Sequence, residues 1–356
     1  MTALAAHPAL RTRVTGLFGV EYPIVQTGMG YVSDARLTAA TSAAGGLGII
    51  GSGLMSYEEL AGAIGIVQSL TDKPFGVNVR ADQPDVGKRI DLLIRAKVKV
   101  ASFALAPRQD LIAKCKDGGL VVVPSIGALR HAEKVAAWGA DAVVVQGGEG
   151  GGHTGQVPTS ILLPQVAAGV DIAVIGAGGF CDGRGLVAAL AYGAAGIAMG
   201  TRFLLTKESP VADEVKQTYL SRKVTDTVVT TEIDGVPQRL LRAGAIDELL
   251  ATSAPRRLAR AVRSAMKFHQ ITGTSWRDMV REGIAMKKHH ELRWTQVIMA
   301  ANAPVLYRSA LLEGRSDFGV MASGQVVGRI DDVPSCAELI ERIVREASDV
   351  LTKLGG

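Results

Sequence analysis

Cysteine is scarce in this sequence: three residues in 356, Cys115, Cys181 and Cys336, stand far apart with no paired spacing. That argues against a disulfide framework or a cysteine zinc site and for a reducing compartment. No H-x-x-x-H or other Cys/His spacing offers a metal site, and His289 and His290, next to Lys287 and Lys288, read as surface charge rather than ligands. Apolar runs long and pure enough to cross a membrane are also missing. The opening MTALAAHPALRTRV has no uninterrupted apolar core before Arg11 and Arg13, so the expected location is the cytoplasm, away from any membrane. A net charge of +5 is too modest to suggest nucleic acid. What the chain does have is 47% apolar residues, ample for one large α/β barrel or two ordinary domains, a composition that argues against disorder.

The first two hundred residues repeat one theme, an apolar run ending in small or polar residues and then an amphipathic stretch, which is the βα rhythm. Eight strands are expected, at 24–29, 47–51, 75–79, 100–104, 120–125, 142–146, 172–176 and 196–199. Helix starts lie between them: Ser56 with Glu59 makes a capping box, and Asp182 stands at an N-cap. An open, doubly wound sheet is the alternative. Even spacing and the lack of a strand-order break favour a closed (β/α)8 TIM barrel.

The stretch DAVVVQGGEGGGHTG, from Asp141 to Gly155, organises the rest. Its β-branched run is too short for a helix and reads as a buried strand. Five glycines between Gly147 and Gly152 then let the backbone pass close to something flat or charged, and they deliver His153 to its edge. A histidine in such an open site can exchange protons near neutral pH. A plain turn with an incidental histidine stays open on this stretch alone.

Barrel sites lie at the strand exits. The exits read Gln26, Gly28, Met29 and Gly30, then Asn78, Ser125, Gln146 and His153, all polar or glycine but for Met29. The seventh and eighth exits, GAGGF at 176–180 and MGTRF at 199–203, suit a phosphate held by backbone N–H groups. A phosphorylated cofactor is implied. Cys181, in GFCDGR, has no histidine nearby in sequence and reads as a small buried filler.

PIVQTGMG at 23–30, AGGLGIIG at 44–51, PFGVNV at 74–79, QGGEGGGHTG at 146–155, GAGGF and AMGTRF match, in order and spacing, a known family. The chain resembles the FMN-dependent nitronate monooxygenases, formerly 2-nitropropane dioxygenases, and the related flavin-dependent enoyl-thioester reductases. By that resemblance Gln26, Gly28, Met29, Asn78, Gln146, Gly151, Gly178, Gly179, Gly200 and Thr201 contact FMN, and Gln325, in an SGQ segment, is a weaker candidate. His153 is then the acid/base residue over the flavin. Gly150 stands where the family more often has alanine, which implies a slightly looser loop.

Beyond Leu204 the strand rhythm stops. Residues 205–318 are expected to form a mainly helical insertion over the barrel mouth, with helices at 253–272, 274–287 and 291–301, while 1–204 and 319–356 form the barrel. Trp276 and Trp294 on that insertion read as packing residues. Between Ser253 and Thr295 ten lysines and arginines face three acidic residues. Such a basic face would attract a polyanion such as an acyl-CoA, with Arg256, Arg257, Arg260, Lys287 and Lys288 as candidate contacts; a solvated helix face or an oligomer contact is the competing reading. Ser335 with Glu338 forms another capping box ahead of the last barrel helix.

SFALAP at 102–107, TVVTTEIDGVPQRLLR at 227–242 and MASGQVVGRIDDVPSC at 321–336 resemble one branch of the family, in bacterial steroid degradation. That branch implies a ring double bond introduced into a bicyclic hydroxy-methyl-oxo-indane carboxyl-CoA thioester. The thioester would acidify the α C–H, His153 would remove that proton, and the β hydrogen would leave as hydride to the flavin. NAD(P) as a further electron partner is left open. So are a nitronate monooxygenase using O2, an enoyl-thioester reductase, and a non-catalytic flavin-binding barrel.

Overall fold

Short β-branched runs bounded by glycine and polar residues give short strands, and here eight of them pair in parallel and close on themselves. In a computed structural model, which describes residues 6–104, 107–243, 246–247, 303–304, 306–315 and 319–355, the strands are β1 (Ile24–Gln26), β2 (Leu47–Gly51), β3 (Phe75–Arg80), β4 (Val100–Ala104), β5 (Val121–Ile126), β6 (Ala142–Gln146), β8 (Ala173–Ala177) and β9 (Gly196–Met199). β7 (Gly152–His153) stands outside the barrel. β1 pairs with both β2 and β9, so the sheet has no open edge. The expected TIM barrel is therefore the observed fold, with strand ends within about two residues except at β1.

β1 stops at Gln26 instead of Met29. There the Thr27 N–H turns to the Met199 carbonyl (3.2 Å) and the Met29 N–H to the Ser33 hydroxyl (2.9 Å), which makes a loop of what the apolar run had suggested was strand.

Side chains alternate along each strand. On β5, Val121 and Val123 join the inner core while Val122 joins the outer layer; on β6, Ala142 and Val144 point in, Val143 and Val145 out. The outer layer is covered by α2 (Ala35–Ala43), α3 (Tyr57–Leu70), α4 (Val86–Arg95), α5 (Gln109–Asp117), α6 (Leu129–Ala137), α7 (Thr159–Gly169) and α8 (Gly183–Ala191). The capping box of Ser56 with Glu59 starts α3, and the Asp182 carboxylate accepts from the Gly185 N–H (2.8 Å) at the start of α8. The C-terminal helix (Cys336–Gly355) begins at the Ser335–Glu338 box and packs on α8 and α2.

A short helix ahead of the first strand, α1 (Arg13–Phe18), closes the far end of the barrel. Val14 and Phe18 are wholly buried among the inner core residues; the Thr12 hydroxyl donates to the Ala195 carbonyl, and a Cβ on Gly19 would stand 3.6 Å from Pro74, both partners lying just before strand starts. The opposite end is thereby the one left for chemistry.

Beyond β9 come α9 (Thr201–Leu204) and α10 (Asp213–Leu220), and then an antiparallel hairpin, β10 (Thr227–Thr230) and β11 (Gln238–Leu241). The hairpin and β7 form a three-stranded sheet in the order β10-β11-β7. A small second core, Ile233, Leu240, Ile246, Leu306 and Val320, lies against it. So the described part of 205–318 carries strands as well as helix. The helices expected at 253–272, 274–287 and 291–301, with Arg256, Arg257, Arg260, Lys287 and Lys288, lie outside the described residues. Among the described residues no helix is long and apolar enough to cross a membrane.

Candidate active site

The exits of the barrel strands meet in a ring of close contacts. Gly28 packs so tightly on Asn78 that a Cβ there would stand 2.4 Å from the Asn78 Cβ. A Cβ at Gly200 would stand 3.3 Å from Met29 Sδ and from Thr27 Oγ1. The Thr201 hydroxyl accepts from the Gly324 N–H (3.0 Å), and the backbone of 323–324 leaves no room for a Cβ at Gly151. Gln325 donates its N–H to the Glu149 carbonyl (3.0 Å). The ring is completed by Gly178, where a Cβ would stand 3.1 Å from the Gly147 carbonyl oxygen, the Gly150 nitrogen and the Thr159 hydroxyl. Gly28, Met29, Asn78, Gln146, Gly151, Gly178, Gly179, Gly200, Thr201 and Gln325 thus all belong to one rim.

Gln26 is placed differently. Its side chain is wholly buried and turned into the wall, with Nε2 donating to Ser33 Oγ (2.8 Å), to the Ile49 carbonyl (3.2 Å) and to the Thr27 carbonyl, while Oε1 accepts from the Ile49 N–H (3.3 Å). The amide braces the first exit loop and is spent on protein partners. Asn78 is likewise tied down, donating to Ser102 Oγ (3.1 Å).

The glycine loop after β6 is firmly held rather than loose. The Gln146 amide donates to the His153 carbonyl (2.7 Å), and its side chain occupies the space that a Cβ on Gly150 would need, 2.6–2.8 Å away. Glu149 accepts from both the N–H (2.9 Å) and hydroxyl (2.7 Å) of Thr159. Arg239, from β11, grips the Gly148 carbonyl through Nε (3.1 Å) and Nη2 (2.8 Å). Gly150 is thus the partner of Gln146, which alanine would displace.

His153 is delivered to the mouth by β7, paired across to Gln238 of β11. Its side chain is 58% exposed, and its Nε2 lies 2.7 Å from an oxygen of Asp234 in the hairpin turn. Burial pushes the Asp234 carboxyl up, but hydrogen bonds and charge from His153, with bonds from Gln238 and the Val236 N–H, outweigh it and leave it below its ordinary value. The carboxylate is therefore ionised. Gln238, 2% exposed, accepts the Tyr307 hydroxyl (2.7 Å).

These three residues, Asp234, Gln238 and Tyr307, are not among the residues that sequence reasoning selects. The usable signal was the Asp-Gly pair at Asp234–Gly235 between β-rich runs, which marks a hairpin. Cys181 is half-buried, with burial pushing its thiol up to about 11, so it is no nucleophile. Among the described residues no group of three or more His, Cys, Asp or Glu could hold a metal ion.

The ring fits a flavin. Gly178 and Gly179 adopt φ of +95° and +84°, conformations only glycine holds without strain, and next to Gly179 the space is open to 3.8 Å. Such a turn, at the end of the strand paired with the one that leads to Gly200–Thr201, lets a phosphate and a flat ring approach the main chain.

The family model described as nitronate monooxygenase matches residues 11–91 and 85–346. An enzyme from Rhodococcus jostii, named (3aS,4S,5R,7aS)-5-hydroxy-7a-methyl-1-oxo-octahydro-1H-indene-4-carboxyl-CoA dehydrogenase, is 58% identical over 97% of this chain and 98% of its own. A Mycobacterium tuberculosis protein of the same name is 58% identical over 95% of this chain and 96% of its own. Among solved structures, FabK from Thermotoga maritima superposes with a TM-score of 0.77 at 35% identity, covering 97% of this chain and 99% of FabK. A nitroalkane oxidase from Streptomyces ansochromogenes gives 0.74 at 26% identity, covering 96% of this chain and 99% of its own. With its closed barrel, its glycine-lined mouth and His153 on the rim, the chain belongs to the nitronate monooxygenase family of flavin-dependent oxidoreductases.

Proposed function

We propose that the chain is an FMN-dependent dehydrogenase that introduces a ring double bond into a bicyclic, steroid-derived hydroxy-methyl-oxo-indane carboxyl-CoA thioester. The observation that carries this reading is the 58% identity, over nearly the whole length of both chains, to two relatives named for that reaction. The site supplies the means. Gly178, Gly179, Gly200 and Thr201 would hold the FMN phosphate, and Gly28, Met29, Asn78 and Gln146 would border its ring. When bound, FMN supplies a two-electron acceptor.

The thioester carbonyl makes the adjacent C–H acidic, and the half-exposed imidazole of His153 takes that proton. Arg239 and Gln146 keep the loop that carries His153 from swinging away. Incubating the enzyme with the thioester should yield a product lighter by two hydrogens. An unchanged mass with full FMN occupancy would reject the reading.

The basic cluster of Arg256, Arg257 and Arg260, with Lys287 and Lys288, would meet the CoA phosphates. Replacing Arg256, Arg257 and Arg260 by glutamate should raise KM for the thioester at least about tenfold, the equivalent of 1.4 kcal/mol, with kcat little changed and the effect fading in high salt. A KM that stays within twofold would remove the cluster from substrate binding. NAD(P) as electron partner is checked by whether it reoxidises the reduced enzyme under argon. The cytoplasm as location, supported by three free thiols, and a homo-oligomeric state complete the reading.

A second reading, oxidation of alkyl nitronates with O2, is favoured by the family model and by a probable nitronate monooxygenase of Staphylococcus saprophyticus at 35% identity over 65% of this chain and 78% of its own. Oxygen consumption with a nitronate, and no reaction with the thioester, would select it.

A further inference from the structure

We propose that Asp234 is a positioning residue for His153: its carboxylate takes the Nε2–H, so that Nδ1 is the atom that removes the substrate proton. The inference deepens the reading of His153 as the base and rests on it. It adds that the barrel's base is completed by a hairpin inserted after the barrel strands.

Hydrogen-bond direction makes the assignment. Tyr307 can only donate to an amide oxygen, and its hydroxyl lies 2.7 Å from Gln238 Oε1. That leaves the amide's NH2 end 3.2 Å from His153 Nε2 and beside the Asp234 carboxylate, which it helps to keep below its ordinary value. The Val236 N–H donates to Asp234 Oδ1 (3.1 Å). An ionised carboxylate can only accept, so the ring nitrogen 2.7 Å from Oδ2 must be the donor. The 3.2 Å approach of Gln238 Nε2 to His153 Nε2 is then a contact between two N–H groups beside the carboxylate rather than a hydrogen bond. A neutral imidazole with Nε2–H carries its lone pair on Nδ1.

The placement is built in several places at once. Asp234 sits one residue after Ile233, which is wholly buried, and its own side chain is 22% exposed against 58% for His153. Main-chain pairing of His153 with Gln238, and the Thr154 N–H on the Pro237 carbonyl (3.0 Å), fix the distance between the two strands. Among the described residues, charged and titratable groups facing Asp234 come from three elements: His153 on β7, Tyr307 on the helical stretch 306–311, and Arg80 at the end of β3, which in turn pairs with Asp82 (2.7 Å). In the reaction the substrate C–H bond breaks, an Nδ1–H bond forms, and the C–H electron pair stays on the substrate α to the thioester. The imidazolium so made is charged, and Asp234 lies where it is neutralised.

The test uses the FMN-loaded full chain. In 15N NMR of the histidines, with the His153 signals assigned by their loss in His153→Gln, the neutral ring should be the Nε2–H tautomer. An Nδ1–H tautomer in the wild-type protein would overturn the proposal without any variant. Asp234→Asn, which can offer an N–H to Nε2 and so favour the other tautomer, should lower kcat on the order of 10²-fold with KM within about twofold and FMN content unchanged. Asp234→Glu, which keeps the carboxylate, should recover most of that loss. Wild-type kcat in Asp234→Asn, with His153→Gln inactive, would overturn the role of Asp234 alone. Wild-type turnover in His153→Gln would instead overturn the reading of His153 beneath it.

Discussion

Replacing His153 with glutamine is expected to lower turnover of the thioester by roughly 10²–10⁴-fold, the span that a positioned general base contributes, while FMN stays bound. The fold explains why the two effects separate. His153 lies on a two-residue strand outside the barrel, bonded through its main chain to Gln238 and through its carbonyl to Gln146, so the loop keeps its course when the ring is changed. The proposed phosphate cradle at Gly178–Gly179 and Gly200–Thr201 follows other strands, β8 and β9. The measurement is kcat at saturating thioester beside the flavin-to-protein absorbance ratio. Full turnover in this variant would place the base elsewhere; loss of flavin would make His153 a structural part of the cradle.

Gly178→Ala should do the reverse, and empty the site of flavin. At φ +95° an alanine is strained, and a strained residue of this kind costs about 1–3 kcal/mol. Its Cβ would also press, at 3.1 Å, on the Gly147 carbonyl and the Gly150 nitrogen, the loop that leads to His153. If the loop yields, that strain appears as FMN affinity weakened about fivefold to more than a hundredfold, since each 1.4 kcal/mol is a factor of ten. Gly62→Ala in α3 is the control: nothing lies within 4 Å of its Cβ, and alanine in a helix interior gains about 0.5–1 kcal/mol over glycine. Equilibrium dialysis with FMN reads both. A Gly178→Ala protein that binds FMN as tightly as Gly62→Ala would contradict the cradle.

The barrel was legible because its strands are short apolar runs between glycines, a signal that is local. Helix starts at Ser56, Asp182 and Ser335 were legible for the same reason: each is written in three or four consecutive residues. What was hidden depends on distance along the chain. Asp234 is 81 residues from His153, and no periodicity links them. The hairpin that brings it there follows the point where the strand rhythm stops, so a second sheet was not expected. Gln26 shows a different limit. Its position at a strand exit is visible in the sequence, but whether its amide faces the mouth or the wall depends on Ser33 and Ile49. Gly150 suggests looseness by its residue type alone, but the Gln146 side chain fills the space beside it.

The central claim is that this site oxidises a CoA thioester through its flavin. An anaerobic titration of the FMN-loaded protein tests it most directly, following the flavin absorbance as the indane carboxyl-CoA thioester is added and, separately, an alkyl nitronate. Full two-electron bleaching by about one equivalent of thioester, with no oxygen present, is the predicted result. A flavin that stays oxidised with the thioester but responds to the nitronate would contradict the account and make the protein a nitronate oxidase.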